Sequence, residues 1–267
     1  MKIAVAHQMR YHPAVLDAFQ RVRDGAIGRL RRVQISGKCD ARGGTHDLRV
    51  LGTHLLDCTR LLTGDPLWAT GALLKNGREV TVADVFEGPE GLGKMAGDAV
   101  FGQFATASGA IIDFESYVRP NHQGATPWFG FDLYGTEGII SVRDAARHVR
   151  LYRGPEVEPA SATLRWEPIE TPVTFPDGKP ADERNLMNAL NQAAAADVVT
   201  CIEQGGEPRS SAREARTTLE MVMAILEGQR TGARVRFPLA TRENPLDVWV
   251  RQSARGANPL PTTGKAG

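Results

Sequence analysis

Residues 47 to 66, DLRVLGTHLLDCTRLLTGDP, set His54, Asp47 and Asp57 among leucines. Imidazole is the side chain that exchanges protons near neutral pH, and a carboxylate one helical turn away can orient the ring or stabilise its charged form. With Asp47 at zero and about 100° per residue, Leu48, Leu51, Leu55, Cys58 and Leu62 fall in one arc of about 80°, a core face. Asp47, Val50, His54, Asp57 and Leu61 fall in a second arc of about 80°, displaced from the first by about 110°. Arg49, Thr53 and Arg60 lie elsewhere, where water is expected. His54 and Asp57 thus stand one turn apart on a shoulder beside the core. Such a pair suits general acid–base chemistry. It also suits a core-edge histidine held by its neighbouring acid, and the helix alone leaves both readings open. No metal site is expected.

Other elements must position this helix. It closes at Gly64 and Pro66, and the loop CDARGGT leads into it from LRRVQISGK, residues 30–38, which alternates as a strand. Earlier still, MKIAVAH reads as a short strand and HPAVLDAFQRVRDGAIG as a helix, with Pro13 early and Gly25 and Gly28 near its end. A strand and a helix are half of a βαβ unit. From Trp68 to about Glu170 the pattern changes to WATGALLK, AVFGQFATA, GAIIDFESYV, WFGFDLYG, GIISVRD, HVRLYRG and LRWEPIE, most of them separated by Gly, Pro or Asn turns. Neighbouring short strands of this kind predict a largely antiparallel sheet. Helices follow at about 182–204 and 211–230, the second opened by a capping box from Ser211 to Glu214, then a last strand, RVRFPL, and a loose tail after Trp249.

The order of elements predicts an α+β fold, a large and predominantly antiparallel open sheet with helices on one face. Strands such as GAIIDFESYV carry apolar or aromatic residues on both sides, so the second face is expected to meet another subunit in a homo-oligomer.

Composition narrows the function classes. The 267 residues suffice for a full core, and 32 Lys and Arg balance 31 Asp and Glu. No basic stripe interleaved with aromatics appears, so neither nucleic acid nor an anionic membrane is expected as partner. Cys39, Cys58 and Cys201 are odd in number and widely spaced, which suits a reducing compartment. No apolar run approaches the roughly 18 residues of a membrane span, and the start lacks a signal-peptide pattern; a soluble, cytoplasmic protein is expected. The run GLGKMAG, residues 91–97, imitates a dinucleotide loop, but EGPEG precedes it and the strand AVFGQFATA follows. A phosphate cradle needs a strand before and a helix after, so this run reads as a loop between strands.

AVAHQMRYHPAV, GAIGRL, GKCDARGGTHDLRVLGTHLLDCTRLLTGDP, LYGTEGII and GARVRFPL, in that order, resemble the later part of the glucose-fructose oxidoreductase and inositol dehydrogenase family (Gfo/Idh/MocA). The likeness runs to about Trp249. It implies a two-domain enzyme in which an N-terminal Rossmann domain binds NAD or NADP and a C-terminal sheet domain binds a sugar, inositol or related polyol and forms the oligomer. On that reading residues 1–28 are the last strand and helix of an incomplete Rossmann domain, 29–249 the substrate-binding and oligomerisation domain, and 250–267 a flexible tail. The family's glycine-rich loop and Glu-Lys-Pro motif have no counterpart here, so the nucleotide site is expected to be largely absent and the chain inactive alone.

The resemblance assigns His54 the family's proton-transfer role. The aspartate often found four residues earlier is replaced by Val50, so Asp57 or Asp47 is expected to orient the ring. Lys38 and Asp40, after the first strand of the sheet domain, and the aromatic Trp128 are candidates for substrate contact; a polar loop and a core tryptophan are the plainer readings. Arg10, after the opening strand, is a candidate for cofactor or substrate contact, or for pairing with an acid. Hydride transfer between nicotinamide and a sugar or polyol is the expected activity. The alternative is a non-catalytic polyol-binding or oligomerisation domain whose Rossmann half comes from a separate chain.

Overall fold

Residues 1–119, 126–154, 166–182 and 184–256 are described by a computed structural model. After a short 3-10 turn, Gln8–Tyr11, helix α1 runs over Pro13–Arg23, with His12 as its N-cap and Pro13 in the first turn. Strand β1 (Arg32–Ser36) leads through the Gly-rich loop to α2 (Thr45–Asp47), a π turn (Leu48–Gly52) and α3 (Thr53–Thr63), which stops at Gly64. Next come β2 (Pro66–Lys75), β3 (Arg78–Glu79), β4 (Phe86–Glu87), β5 (Lys94–Met95), β6 (Ala99–Thr106), β7 (Ile111–Tyr117), β8 (Gly130–Tyr134), β9 (Gly138–Arg143), β10 (His148–Arg153) and β11 (Glu167–Pro168). Helices α4 (Leu186–Gln204) and α5 (Ala212–Thr231), strand β12 (Val235–Arg236) and helix α6 (Pro245–Ala254) complete the order.

The large sheet reads β11-β10-β9-β8-β1-β7-β6-β2-β12, with β3 paired to β2. All its neighbours are antiparallel except β1 and β7, which run parallel with Val33 opposite Ile112 and Ile35 opposite Phe114. This is the expected open, mainly antiparallel sheet. Period-two alternation decides its faces. Val33, Ile35, Val100, Phe104, Ile112 and Phe114 are buried on one side. Arg32, Gln34, Gln103, Asp113 and Glu115 alternate to the other, where Arg32 and Gln103 both bond Asp113. That outer face is therefore more polar than the strand sequences suggested, although Phe101 remains exposed on it.

Helices cover the inner face. Val15, Ala18, Phe19 and Val22 of α1 are buried, and Phe19 meets Phe131 of β8 at 5.7 Å between ring centroids. Leu55, Leu56 and Cys58 of α3 and Met221, Val222, Ile225 and Leu226 of α5 join the same core. Each fully buried aliphatic side chain contributes roughly 1.5–3 kcal/mol. Gly71 of β2 and Gly102 of β6 are paired in register and leave a notch for Ile225: a Cβ on Gly71 would lie 2.1 Å from the Ile225 carbonyl oxygen.

Three expectations are corrected. MKIAVAH is not a sheet strand: Ala4 makes one isolated bridge to Ser211, with Val5 N–H donating to Ser210 O at 2.8 Å. This segment pairs with the entry to α5 and not with a parallel strand. The chain does not loosen at Trp249, which is fully buried within α6; the Asn244 side chain caps that helix and Pro245 opens it. The rest of the expected tail, residues 257–267, and the start of LRWEPIE lie outside the described residues. The capping box at α5 is half formed. Ser211 Oγ accepts from Glu214 N–H at 3.4 Å, but the Glu214 carboxylate serves Arg10 instead.

Candidate functional site

The π turn between α2 and α3 rearranges the shoulder read from the helical wheel. It takes in one more residue than an α turn, which rotates what precedes it by about 100° against a regular helix. Gly52, at its end, lets the helix press on β7, since a Cβ there would meet the Phe114 ring at 2.8 Å. His54 and Asp57 both follow the turn and stay on one side. Asp47 precedes it and faces β7, which corrects the expected three-residue shoulder. Asp47 is fully buried; its Oδ2 accepts from Ser116 Oγ at 2.5 Å and from Cys39 N–H at 3.1 Å, while Oδ1 has no partner among the described residues. Burial pushes its carboxyl pKa up. Asp47 thus pins the loop after β1 to the head of the helix.

Asp57 is also fully buried, and its oxygens are taken. Arg10 Nε donates to Oδ2 at 2.5 Å and Arg10 Nη2 to Oδ1 at 3.1 Å, and Thr218 of α5 donates to Oδ1 at 2.9 Å. Burial alone would raise this carboxyl, but contact with His7 and Arg10 outweighs it and holds the group below the usual carboxylate range. Arg10 donates further to Arg209 O at 2.7 Å and to Glu214 at 2.8 Å, so every guanidinium nitrogen is engaged inside the protein. Arg60, expected in water, is buried on the same network: it donates to Glu214 O at 2.9 Å and pairs with Asp65 at 2.5 Å. The physical reason is α5, whose acids and carbonyls cover that side of α3. Arg49 is likewise partly buried and bonds Leu92 O.

His54 is only half-buried. Among the described residues its ring makes no hydrogen bond; it meets the buried ring of His7 edge-on, with centroids 5.2 Å apart and planes at 70°. Burial, with His7 adding to it and Asp57 opposing, lowers its pKa to about 4. The imidazole is therefore neutral at physiological pH and its lone pair is free to accept a hydroxyl proton. As a general base it is weak, because such a base works best with a pKa near the working pH.

A second group gathers after β1. Lys38 Nζ lies 3.3 Å from Asp40, and Arg42 binds Asp40 at 2.8 Å. Burial would raise Asp40, but the bonds from Arg42 and Lys38 hold it well below the usual carboxylate range. Trp128 is anchored by its Nε1–H on Lys38 O at 2.8 Å, and the Arg119 guanidinium covers its ring at 4.1 Å from the centroid. The structure thus brings Lys38, Asp40 and Trp128 together, and through Asp47 ties their loop to the helix of His54. Sequence reasoning missed His7 and Arg119. The only hint of His7 was its place three residues before Arg10, and of Arg119 its nearness to Tyr117.

The run 91–97 lies at the β4–β5 hairpin and leads into the strand β6 rather than into a helix. Cys39, Cys58 and Cys201 are free, and no cluster of metal-ligating groups is present among the described residues. No helix there is long and apolar enough to cross a membrane.

No protein-family model matches the chain. It is similar to D-apiose dehydrogenase of Paraburkholderia graminis, 23% identical over 275 residues, a match that takes in 96% of this chain and 64% of that protein's length. Among solved structures it resembles an oxidoreductase of Agrobacterium radiobacter in complex with NAD+, L-tartaric acid and magnesium, with a TM-score of 0.60, 18% identity and coverage of 88% of this chain and 65% of that one. It also resembles levoglucosan dehydrogenase in complex with NADH and L-sorbose, with a TM-score of 0.61, 22% identity and coverage of 88% and 65%. The fold is shared over that span. The relatives are sugar dehydrogenases and oxidoreductases, the type that the opening motifs resemble, and the neighbours above hold NAD+ or NADH.

Proposed function

We propose that this chain supplies the sugar- or polyol-binding side of a nicotinamide-dependent oxidoreductase, with His54 holding the proton of the reacting hydroxyl. One observation carries the reading. A neutral, half-exposed imidazole with no internal hydrogen bond stands on the helix after β1, in a fold shared with a dehydrogenase solved with NADH and L-sorbose. Asp57 supports that helix through Arg10 and Thr218 and leaves His54 to the substrate. Lys38 and Asp40 would bond sugar hydroxyls, and the Trp128 face not covered by Arg119 would lie against sugar C–H groups. The hydride acceptor, NAD or NADP, would be held by residues other than the described ones. Titration of the chain with NADH and NADPH, followed by nicotinamide fluorescence, is expected to show no saturable binding up to millimolar nucleotide. Saturable binding would overturn that division of labour.

A further inference from the structure

His54 lacks the acid that the resemblance places four residues before it, and Val50 cannot hydrogen-bond a ring. Asp57 does not replace that acid, because Arg10 and Thr218 occupy its oxygens. The group that does touch the His54 ring comes from the N-terminal segment. We infer that His7 is a positioning residue for His54, holding that ring through an edge contact that is itself anchored on Asp57. The inference rests on reading His54 as the proton-holding group.

The geometry supports it at each joint. His7 is 8% exposed, and its Nδ1 lies 3.3 Å from Asp57 Oδ2, within ion-pair distance. Its backbone is fixed on both sides: His7 N–H donates to Val5 O at 2.7 Å, and His7 O accepts from Arg10 N–H at 3.1 Å. The same 3-10 turn therefore delivers His7 to His54 and Arg10 to Asp57. Two charged or titratable groups act on His54 directly, His7 from the N-terminal segment and Asp57 from its own helix. Arg10 from the 3-10 turn and Glu214 from α5 reach it only through Asp57. A second imidazole packed edge-on against the ring limits the orientations open to His54 and opposes its protonation.

Nitrogen-15 imidazole NMR of the chain, His7→Phe and His7→Ala reads this directly. In the unmodified chain His54 is expected to titrate at about 4, with its ring held in one orientation against His7, read from side-chain nuclear Overhauser contacts. His7→Phe keeps the ring volume but loses both nitrogens, and the His54 midpoint is expected to rise. His7→Ala removes the ring, and the His54 ring is expected to lose its fixed orientation. Unchanged His54 signals in both variants would overturn the inference. A His54 midpoint near 6.5 in the unmodified chain would overturn it without any variant. The readout needs no nucleotide, sugar or turnover. Failure to bind sugar would sink the proposed function while leaving this result intact.

Discussion

His12 shows what a histidine does here when it is bound into the structure. It is 2% exposed and its Nδ1 accepts from Ala14 N–H at 3.2 Å, which assigns the proton to Nε2. Burial, with Arg147 adding to it, lowers its pKa from 6.5 to about 4. The folded value lies below the unfolded one, so the unfolded chain takes up the proton first. The stability linked to this group is complete above about pH 6.5 and is lost as pH falls from there to about 4, a depression worth about 3 kcal/mol. Asn at position 12 keeps an oxygen for the cap and removes the titration. Urea unfolding between about pH 7 and 4.5 is expected to show a shallower loss in His12→Asn than in the unmodified chain, with His54 supplying part of what remains. Equal slopes would contradict the assignment. At this scale the sequence showed His54, because a leucine period placed it on a shoulder. It did not show His7 or the buried fate of Arg60, since both are set by segments far away in the chain.

At the scale of elements, period and punctuation carried most of the reading. Alternation marked the sheet strands, and Gly64, Pro66, Ser211 and Pro13 marked helix ends where the structure has them. The π turn at Leu48–Gly52 was not legible, because a wheel assumes a constant rotation and the contact that favours the turn, Gly52 on Phe114, is tertiary. Helix α6 was missed although Asn244 and Pro245 form an ordinary start signal. The MKIAVAH strand was misread because its β-rich composition fits any extended segment, whereas its backbone pairs, among the described residues, with the entry to α5. The Gly71 and Gly102 notch was equally hidden, since strand glycines look like weak points until a helix lies on them. Gly71→Ala is expected to lose about 1–3 kcal/mol in denaturant unfolding, because its methyl group would force α5 off β2. An unchanged midpoint would mean that Ile225 does not sit in the notch.

At the scale of the whole molecule, the sheet is the platform and the helices after β1 and before β12 are its load. β1 lies between β8 and β7 at the middle of the strand order, so the loop with Lys38 and Asp40 leaves from a strand that is paired on both edges. Such a base limits how far the loop and the head of the His54 helix can drift apart, and Asp47 clamps the two. The α+β class and the mainly antiparallel sheet were legible because they follow from element order. The closure of the N-terminal segment onto α5 was not, because it joins residues about two hundred positions apart. The proposed function requires a sugar or polyol to reach His54. Saturation-transfer NMR of the chain and of His54→Ala, with a panel of polyols, aldoses and ketoses, tests this most directly. At least one compound is expected to bind saturably and to weaken about tenfold in His54→Ala, the loss of one hydrogen bond of about 1.4 kcal/mol. No binding by any of them, or equal binding by both proteins, would contradict it.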